Sequence, residues 1–493
     1  MVRAQPRSAP PLHRLEKALL IVVAAHLVFL PWALGTMHVW SQSISFGFSV
    51  LSLGLALRTR TYSQKFTGGE PFRLHMGPKL LRFPIFWLGL VFLLYIVVQA
   101  LNPAWEYVTD GRFWWLQRVP SINWLPTGMR TPFEQASPWR SLMIYSSAWM
   151  TVCAVWVGFT RRKSLRLVLA TLSGNAFLLA LLGLAERASN ATRILWFWQP
   201  PAGYFVSTFI YRNHAGAYLN LLLAVTCALA FWHRRQQQRH MERSSPAVVF
   251  AVIAAVLTLI VLYSYSRGAI LLAAGFLALL AAIVAIRLLL HRGGHGSRLV
   301  PSAFGLLFLA FVALGVFTLK TGVFAERFES LSTDLVDTPR NLRFVTYEAT
   351  WEMARDRLLT GWGAGSFRFY FPTYQIHHPE ILIGPGSHKR MLWEHAHDDY
   401  LELLAEVGVI GGTLLIAGGL LGLARLIRLR CWRNPPMAVL LGGCLVTMMH
   451  AAFDFPFSNP AILITWCALW PLMIRWLEIE NARSRTSSGQ SAA

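Results

Sequence analysis

The chain has 493 residues, of which 55% are hydrophobic and only 14% are charged. A soluble protein of this length usually carries about 25% charged residues, so the composition excludes an ordinary soluble domain. The formal net charge is +22. The Lys and Arg residues nevertheless form short clusters between apolar runs, without the basic stripe or aromatic stacking motif of a nucleic-acid-binding protein. We therefore expect a membrane protein with no nucleic-acid partner.

Apolar runs of about 20 residues recur along the whole chain, which is the length that a helix needs to cross roughly 30 Å of hydrocarbon. The alternating ten-residue strands of a membrane barrel are absent from the sequence. The predicted fold is an all-α polytopic membrane protein of about twelve transmembrane helices with one large, partly helical periplasmic loop. The predicted spans are approximately 17–36, 39–57, 82–101, 139–159, 165–186, 214–232, 247–265, 268–290, 301–320, 398–424, 436–453 and 459–476.

Basic clusters mark alternate loops, near residues 58–65, 161–163, 234–243, 287–298 and 425–433, at the N-terminus and after residue 475. With twelve spans they all fall on one side, which the positive-inside rule makes cytoplasmic together with both termini. The predicted organisation is 1–320 for nine helices with short loops, 321–397 for the large periplasmic loop, 398–476 for three helices, and 477–493 for a disordered cytoplasmic tail.

Two patterns lie inside the large loop. Thr338 and Pro339 are typical of a helix start, and the apolar residues that follow recur three or four positions apart, with Arg343 at the head of the helix. The later stretch GWGAGSFRFYFPTY lacks the strand–loop–helix context of a phosphate cradle. We interpret its glycines as a tight turn with unusual backbone angles.

The end of this loop is rich in histidines and carboxylates. Their spacing matches no standard zinc arrangement, so we predict no metal ion. Histidine is the residue most often used for proton transfer near neutral pH, and His397 stands where the loop re-enters the membrane. His397 is the predicted general base among His377, His378, His388, His395, His397, Glu394, Asp398 and Asp399.

Asp398 follows His397 at the start of a predicted helix. Acidic residues in the first turn suit the positive end of the helix dipole. A capping role therefore explains Asp398 at least as well as a catalytic role does. Asp398 is a secondary candidate with both roles open.

Two arginines lie at outward helix ends, Arg212 in FIYRNHAGAYL and Arg267 in YSYSRGAILL. Such arginines often only reach toward the interface, but charges at the membrane edge are functional candidates by default. A guanidinium matches phosphate geometry and stays charged. We predict that Arg212, Arg267 and Arg343 surround one outward cavity for a phosphate-bearing ligand.

Two motifs resemble those of the bacterial O-antigen ligase and polymerase superfamily. The Arg-x3-Leu element is matched by Arg267-Gly-Ala-Ile-Leu271. The His-(Asn/Ser/Gln)-x9-Gly-x-x-(Gly/Thr/Tyr) element is matched by His397-Asp398, nine residues, then Gly408-Val-Ile-Gly411, with Asp398 where the family usually has a neutral amide or hydroxyl. The segment FIYRNHAGAYL is similar to the family's Arg-Asn-His segment and adds His214 as a secondary candidate. The resemblance is strongest over about 200–415.

The resemblance implies a metal-independent, inverting glycosyltransferase or ligase without a cofactor, in the bacterial inner membrane with its active site facing the periplasm. The implied donor is a glycan on undecaprenyl diphosphate. The implied acceptor is a sugar hydroxyl on lipid A-core. In this reading His397 takes the acceptor proton, and the three arginines stabilise the diphosphate leaving group.

Two alternatives stay open. The first is an O-antigen or exopolysaccharide polymerase, which would use the same donor and a lipid-linked glycan acceptor. The second comes from another class, a small-anion, bicarbonate-like transporter. A carrier should place polar residues near the bilayer midplane, often at broken helices, whereas the candidate residues here gather at the outer edge.

Overall fold

The computed structural model describes residues 12–62, 72–201, 204–240, 245–290, 342–383 and 390–490, with the backbone alone described at 239–240, 287–290 and 483–490. These residues form 15 α-helices, which we number in chain order. Nine of the described helices are long and apolar enough to cross a membrane. They are α1 (Arg14–Trp32), α2 (Val39–Leu57), α4 (Pro84–Leu101), α5 (Pro138–Gly158), α6 (Arg162–Ala188), α7 (Arg212–His240), α9 (Arg267–Leu290), α13 (Asp399–Arg428) and α15 (Pro460–Gln490).

Two shorter apolar helices, α8 (Ala247–Tyr263) and α14 (Pro435–Ala451), complete the set. Eleven of the twelve predicted spans correspond to these helices. The remaining predicted span, 301–320, lies outside the described residues. The prediction of an all-α polytopic membrane protein is confirmed. The four remaining helices are α3 (Gly77–Leu81), α10 (Leu342–Asp356), α11 (Phe367–Gln375) and α12 (Pro379–Leu382).

Local sequence explains where several spans begin. Helices α4, α5 and α14 carry Pro in the first turn, where its missing N–H costs nothing. Ser137 caps α5 and Asn434 caps α14, because their side-chain oxygens accept hydrogen bonds from the backbone N–H groups of Arg140 and Met437. These starts lie within a few residues of the predicted ones.

Charged side chains near several helix ends meet at one end of the bundle, which we call the basic end. Arg60 Nη1 lies 2.8 Å from Glu16 Oε2, and both side chains are fully buried. Arg475 donates to the Phe159 carbonyl, and Lys79 donates to the carbonyls of residues 156 and 157. The start of α1 and the ends of α2 and α5 therefore share one face with the middle of α15, as the distribution of the basic clusters predicts.

Helix α7 is the central element of the bundle. In the most apolar 18-residue stretch of α7, 89% of the residues are buried inside the protein. The corresponding share is 22–61% in the other eight long spans. It packs against α6, α8, α9, α14 and α15. The N-terminal turn of α7, which contains Arg212, Asn213 and His214, is therefore held in place from several sides.

Five short strands accompany the helices. Strand β1 (Arg60–Tyr62) pairs with β2 (Phe72–Leu74) in an antiparallel ribbon. Strand β3 (Pro103–Thr109) pairs antiparallel with β4 (Trp114–Arg118) and parallel with β5 (Gly128–Arg130). This second sheet lies within 102–138, which the sequence predicts as a loop, and its side chains pack against α11.

The large loop is locked onto a break in helix α13, and we call this contact the loop–helix junction (residues 358–363 against 405–410). Gly408 leaves the helical conformation with φ of 63° and ψ of −173°. Loop groups bond the backbone on both sides of the break: the amides of residues 362 and 363 donate to Ala405 and Glu406, and those of residues 409 and 410 donate to Leu358 and Leu359. The glycines of GWGAGSF form a turn of unusual backbone angles, with positive φ at residues 361, 363 and 365.

One of the described segments of the large loop starts with helix α10. Helix α10 begins at Leu342, and the predicted start at Thr338 and Pro339 lies outside the described residues.

At the C-terminal end of the chain, α15 continues to Gln490, through most of the segment for which the sequence predicts disorder. Ion pairs explain part of this extension, because Glu478 binds Arg425 and Arg475 at 2.7 and 2.6 Å.

Candidate functional site

The candidate residues gather at the end of the bundle opposite the basic end, which we call the site end. Helices α7, α9, α13 and α15 begin there, and α14 finishes there. The short turn between α14 and α15, residues 452–459, lies at the centre of this face. Its residues Phe453, Asp454 and Phe455 contact three of the predicted site residues, Arg343, His397 and His214.

Asp454 connects three elements through its two carboxylate oxygens. Oδ1 lies 3.7 Å from Nδ1 of His397 and accepts the amide of Phe455 at 2.9 Å. Oδ2 accepts a hydrogen bond from the Asn213 amide and lies 3.9 Å from Nε2 of His450. The His397–Asp454 distance is within that of an ion pair and longer than that of a hydrogen bond.

The charge of Asp454 is held by its neighbours. Burial raises the pKa of its carboxyl group, but His397, His450 and Arg343 outweigh burial and lower the pKa to about 2. Asp454 is therefore ionised at physiological pH although it is only 2% exposed. A fixed negative charge beside an imidazole stabilises the protonated form that a general base adopts after accepting a proton.

His397 has an uncommon backbone conformation. Its φ of 58° lies in the left-handed region, which costs a non-glycine residue of order 1–3 kcal/mol and is concentrated at functional sites. The Tyr347 hydroxyl donates to the His397 carbonyl at 2.9 Å, and the imidazole meets the Phe455 ring edge-on at 4.8 Å between centroids. Within the described chain its Nδ1 has no hydrogen-bond partner, and the side chain is 21% exposed.

Phe455 is surrounded by ring systems. Tyr211 and His395 stack on it at 5.2 and 4.4 Å between centroids, and His214 meets it edge-on at 5.0 Å. His214 Nε2 also lies 3.1 Å from the Phe455 carbonyl and is 3% exposed. The structure thus places His214, a secondary candidate, as a support for the 452–459 turn.

Asp398 caps helix α13. Its Oδ1 accepts the amides of Tyr400 and Leu401 at 2.9 and 3.0 Å, the N-cap geometry that satisfies two otherwise unpaired donors. Burial raises the pKa of this carboxyl group, and the two amide bonds oppose the rise. Of the two roles left open by the sequence, the contacts of Asp398 are those of the capping role.

His395 belongs to a neighbouring charge pair. Its Nδ1 lies 2.9 Å from Glu402 Oε1, and Glu402 Oε2 accepts the Ala396 amide. Burial alone would lower the pKa of His395, but the Glu402 carboxylate raises it to about 9. His395 is therefore protonated at neutral pH and poorly suited to accept a proton, in contrast to a working base.

The three arginines lie at or near the starts of three different helices, Arg212 on α7, Arg267 on α9 and Arg343 on α10. Arg343 Nη1 donates to the Phe453 carbonyl at 2.9 Å, so helix α10 contacts the central turn. Gly268, the neighbour of Arg267, has no space for a side chain because a Cβ would lie 2.5 Å from the Phe453 ring. Arg212 precedes Asn213, the partner of Asp454, and its guanidinium lies 5.0 Å from the centre of the Tyr204 ring.

Two members of this site, His450 and Asp454, are missing from the sequence-based candidates. They lie at i and i+4 where an apolar run ends, in the motif HAAFDF. Ionisable residues at a membrane edge are candidates by default. The sequence therefore contained a signal for these two residues, although the turn that holds them is short. As for metals, no group of three or more His, Cys, Asp or Glu side chains in the described ranges is placed to hold an ion.

A family model described as O-antigen ligase matches residues 250–416, about a third of the chain. Over these residues the chain is similar to an O-antigen ligase domain, and we refer to this matched segment as the O-antigen ligase domain. The match confirms the predicted resemblance to the O-antigen ligase and polymerase superfamily, and it covers Arg267, Arg343 and His397. No curated protein matches the chain.

The O-antigen ligase domain supports a ligase- or polymerase-type function and an enzyme of the ligase or glycosyltransferase kind. It also fits lipid-linked glycans as substrates of a multi-pass membrane protein. Arg212, His450 and Asp454 lie outside the matched segment but contact or adjoin its residues at the site end. The candidate site therefore combines residues of the O-antigen ligase domain with the first turn of α7, the end of α14 and the turn after it.

Proposed function

We propose that the protein transfers a glycan from undecaprenyl diphosphate to a sugar hydroxyl of lipid A-core at the periplasmic face of the bacterial inner membrane. The observation that carries the proposal is the pairing of His397 with the ionised Asp454 at a helix-end face that also carries Arg212, Arg267 and Arg343. A base and several cations on one membrane edge suit a lipid-held diphosphate donor.

The chemistry is a single displacement. His397 accepts the proton of the acceptor hydroxyl while its oxygen forms a bond to the anomeric carbon of the donor sugar. The bond between that carbon and the diphosphate oxygen breaks, and the undecaprenyl diphosphate leaves with the electron pair. Arginine side chains stabilise the negative charge that develops on the leaving group, and attack opposite the leaving group inverts the anomeric configuration.

The break in helix α13 bears on the transporter alternative. Broken helices in carriers expose backbone groups to the transported ion. At the loop–helix junction these groups are instead bonded to loop backbone and to Tyr95 and Gln99, whose side chains donate to the carbonyls of residues 360, 406 and 407. A break sealed in this way favours an anchored enzyme loop over an ion path.

The test is glycan transfer in proteoliposomes with an undecaprenyl-diphosphate-linked glycan and lipid A-core. His397→Ala should reduce transfer by about 10²-fold or more, with normal insertion and expression. His377→Ala is a matched control, because His377 is an exposed histidine of the same loop and should retain full activity. Wild-type rates in His397→Ala would overturn the general-base role.

A gene deletion distinguishes the ligase from the polymerase that uses the same donor. Loss of a ligase should leave long unlinked chains on the lipid carrier. Loss of a polymerase should leave single repeat units, either on the carrier or transferred to lipid A-core. The ligase proposal predicts the first profile, and the second would replace it with the polymerase.

A further inference from the structure

Helix α4 carries an exposed apolar face along its whole length. The exposed large apolar side chains of this helix are Trp87, Val91, Leu94 and Leu101. They follow one another at intervals of four, three and seven residues, which places them on one side of the helix. Because α4 is long and apolar enough to cross a membrane, we infer that this side contacts lipid hydrocarbon. We call it the lipid face of α4.

Leu101 lies at the outer boundary of the lipid face. Helix α4 begins at Pro84, shortly after Lys79 of the basic end. Near its other end, the Gln99 side chain bonds the loop–helix junction. The 18 residues of α4 span about 27 Å at 1.5 Å per residue, close to the roughly 30 Å of bilayer hydrocarbon. Leu101 therefore lies where hydrocarbon gives way to headgroups, on the side of the large loop.

The loop between β4 and β5 is held at this boundary by Asn102, the residue that follows α4. The Oδ1 atom of Asn102 accepts the Ile122 amide at 2.8 Å. Its Nδ2 atom donates to the carbonyls of Ile122 and Pro126 at 3.0 and 3.2 Å. Both ends of the side-chain amide are therefore engaged by one short segment. We call residues 121–126 the docked loop, and it lies next to Leu101.

The docked loop exposes apolar side chains. Trp124 is 81% exposed, the highest value among the large apolar side chains that the structure describes, and Ile122 is exposed as well. The sequence has no charged residue between Arg118 and Arg130. Exposed apolar patches mark contacts with proteins or membranes, and Trp is enriched where hydrocarbon meets water. The composition of the docked loop is therefore that of a segment at a membrane surface.

The residues after the docked loop contact the large loop. Arg357 donates a hydrogen bond to the Thr127 hydroxyl. The Gly128 amide donates to the Asn102 carbonyl at 3.2 Å. Gly363 also approaches this segment closely, because a Cβ on Gly363 would lie 2.5 Å from the Gly128 Cα. The docked loop, the end of α4 and the large loop therefore form one connected unit.

We propose that the docked loop is a membrane anchor, with Trp124 and Ile122 inserted among the phospholipid headgroups on the side of the large loop. The occupant is phospholipid because the docked loop continues the lipid face of α4 through Leu101. Through the contacts of Thr127 and Gly128, the anchor sets the height of the large loop above the bilayer. This inference goes beyond the proposed function and does not depend on the chemistry of His397.

The test places an environment-sensitive fluorescent label on Trp124→Cys in proteoliposomes. The vesicles contain phospholipids that carry a nitroxide either near the headgroup or near the middle of the acyl chain. The label should lose most of its emission with the shallow nitroxide and less with the deep one. His377→Cys, at an exposed position of the large loop, is the matched control and should lose little with either. Wild-type protein, whose described cysteines are buried or half-buried, measures background labelling.

A second measurement identifies any other occupant. A charged, membrane-impermeant maleimide should modify Trp124→Cys several-fold more slowly than His377→Cys in the same vesicles. Both positions lie on the side of the large loop, so mixed orientation of the protein affects them equally. Because Trp124 is exposed, its replacement removes no core packing.

Two results would overturn the anchor. Slow modification without quenching by either nitroxide would show that protein, such as a second copy of the chain, covers the docked loop. Fast modification without quenching would show that the loop lies in water. Quenching by the shallow nitroxide that exceeds the control supports the anchor. None of these results bears on transfer by His397, which the activity of His397→Ala tests separately.

Discussion

His397 Nδ1 lies 3.7 Å from Asp454 Oδ1 across two segments that are separated by more than fifty residues of sequence. The contact joins the end of the large loop to the turn between the last two helices. Because Asn213 binds the other oxygen of the same carboxylate, the position of His397 depends on helices α7, α14 and α15 at once.

Asp454→Asn should reduce kcat by about 10²-fold while leaving expression normal. The asparagine can still accept the Phe455 amide, but the negative charge beside His397 is lost. Asp356→Asn is the control, since Asp356 accepts a hydrogen bond from the Tyr374 hydroxyl on the exposed face of the loop. An unchanged kcat in Asp454→Asn would reduce Asp454 to a structural residue.

Arg267→Lys should lower transfer by about tenfold or more, although the charge is retained. A lysine cannot reproduce the bidentate geometry of a guanidinium on a diphosphate. Transfer rates with saturating acceptor provide the measurement. Arg130→Lys, in an exposed ion pair with Glu106 at 3.7 Å, should behave as the wild type. Wild-type rates in both variants would make Arg267 an ordinary interfacial arginine.

Gly408→Ala should destabilise the protein by roughly 1–3 kcal/mol or more. The residue has a positive φ, and a Cβ would lie 2.4 Å from the Leu359 carbonyl oxygen in the loop–helix junction. Gly412→Ala, one turn later in the same helix, meets nothing within 4 Å and should be neutral or slightly stabilising. Thermal unfolding in detergent distinguishes the two, and equal melting temperatures would contradict the assigned role of Gly408.

The pairing of His395 with Glu402 should make thermal stability depend on pH. The pKa of His395 in the folded protein is about 9, above its ordinary value near 6.5. The contribution of the His395–Glu402 pair to the free energy of unfolding is therefore complete below pH 6.5 and is lost as the pH rises through 9. Glu402→Gln should lower the melting temperature at pH 6.5. It should also reduce the fall in melting temperature as the pH rises toward 9.

The control for that pH series is Glu352→Gln. Glu352 faces His378 at 3.3 Å, but its side chain is 37% exposed, so solvent screens the pair. Its melting curve should follow the wild type at every pH. Parallel declines in the wild type and Glu402→Gln would show that another group causes the pH dependence.

Transfer should continue in the presence of EDTA, because the proposed displacement uses His397 and arginines and no metal ion. The rate is measured in proteoliposomes before and after exhaustive chelation. A loss of activity that added zinc restores would identify the histidines near residue 397 as ligands.

The apolar runs predicted the spans well because hydrocarbon thickness constrains helix length directly. The site was harder to predict. Motif positions singled out His397 and Arg267 as candidates, but Asp454 lies in a short turn that meets His397 only when α14 and α15 bring it to the loop end. Likewise, the place of Trp124 beside the end of α4 depends on the hydrogen bonds of Asn102 to residues 122 and 126, which hydrophobic periodicity does not encode.

The role of Asp398 illustrates a different limit. The sequence left capping and catalysis open, because both predict an acidic residue at the start of a helix. Only the bonds to the amides of Tyr400 and Leu401 distinguish them. Gly408 shows the reverse case, since its place in a motif was visible while its reason, the close approach of Leu359, was not.

Gln99 has consequences for how the protein is made. Its buried amide bonds the carbonyls of Thr360 and Glu406, and its oxygen accepts the Ala364 amide. Roughly 300 residues separate Gln99 from Glu406, which at about 5–20 residues per second is some 15–60 seconds of synthesis. During that time the Gln99 amide lacks these partners, so we expect helix α4 to reach its final packing only after the loop has been synthesised.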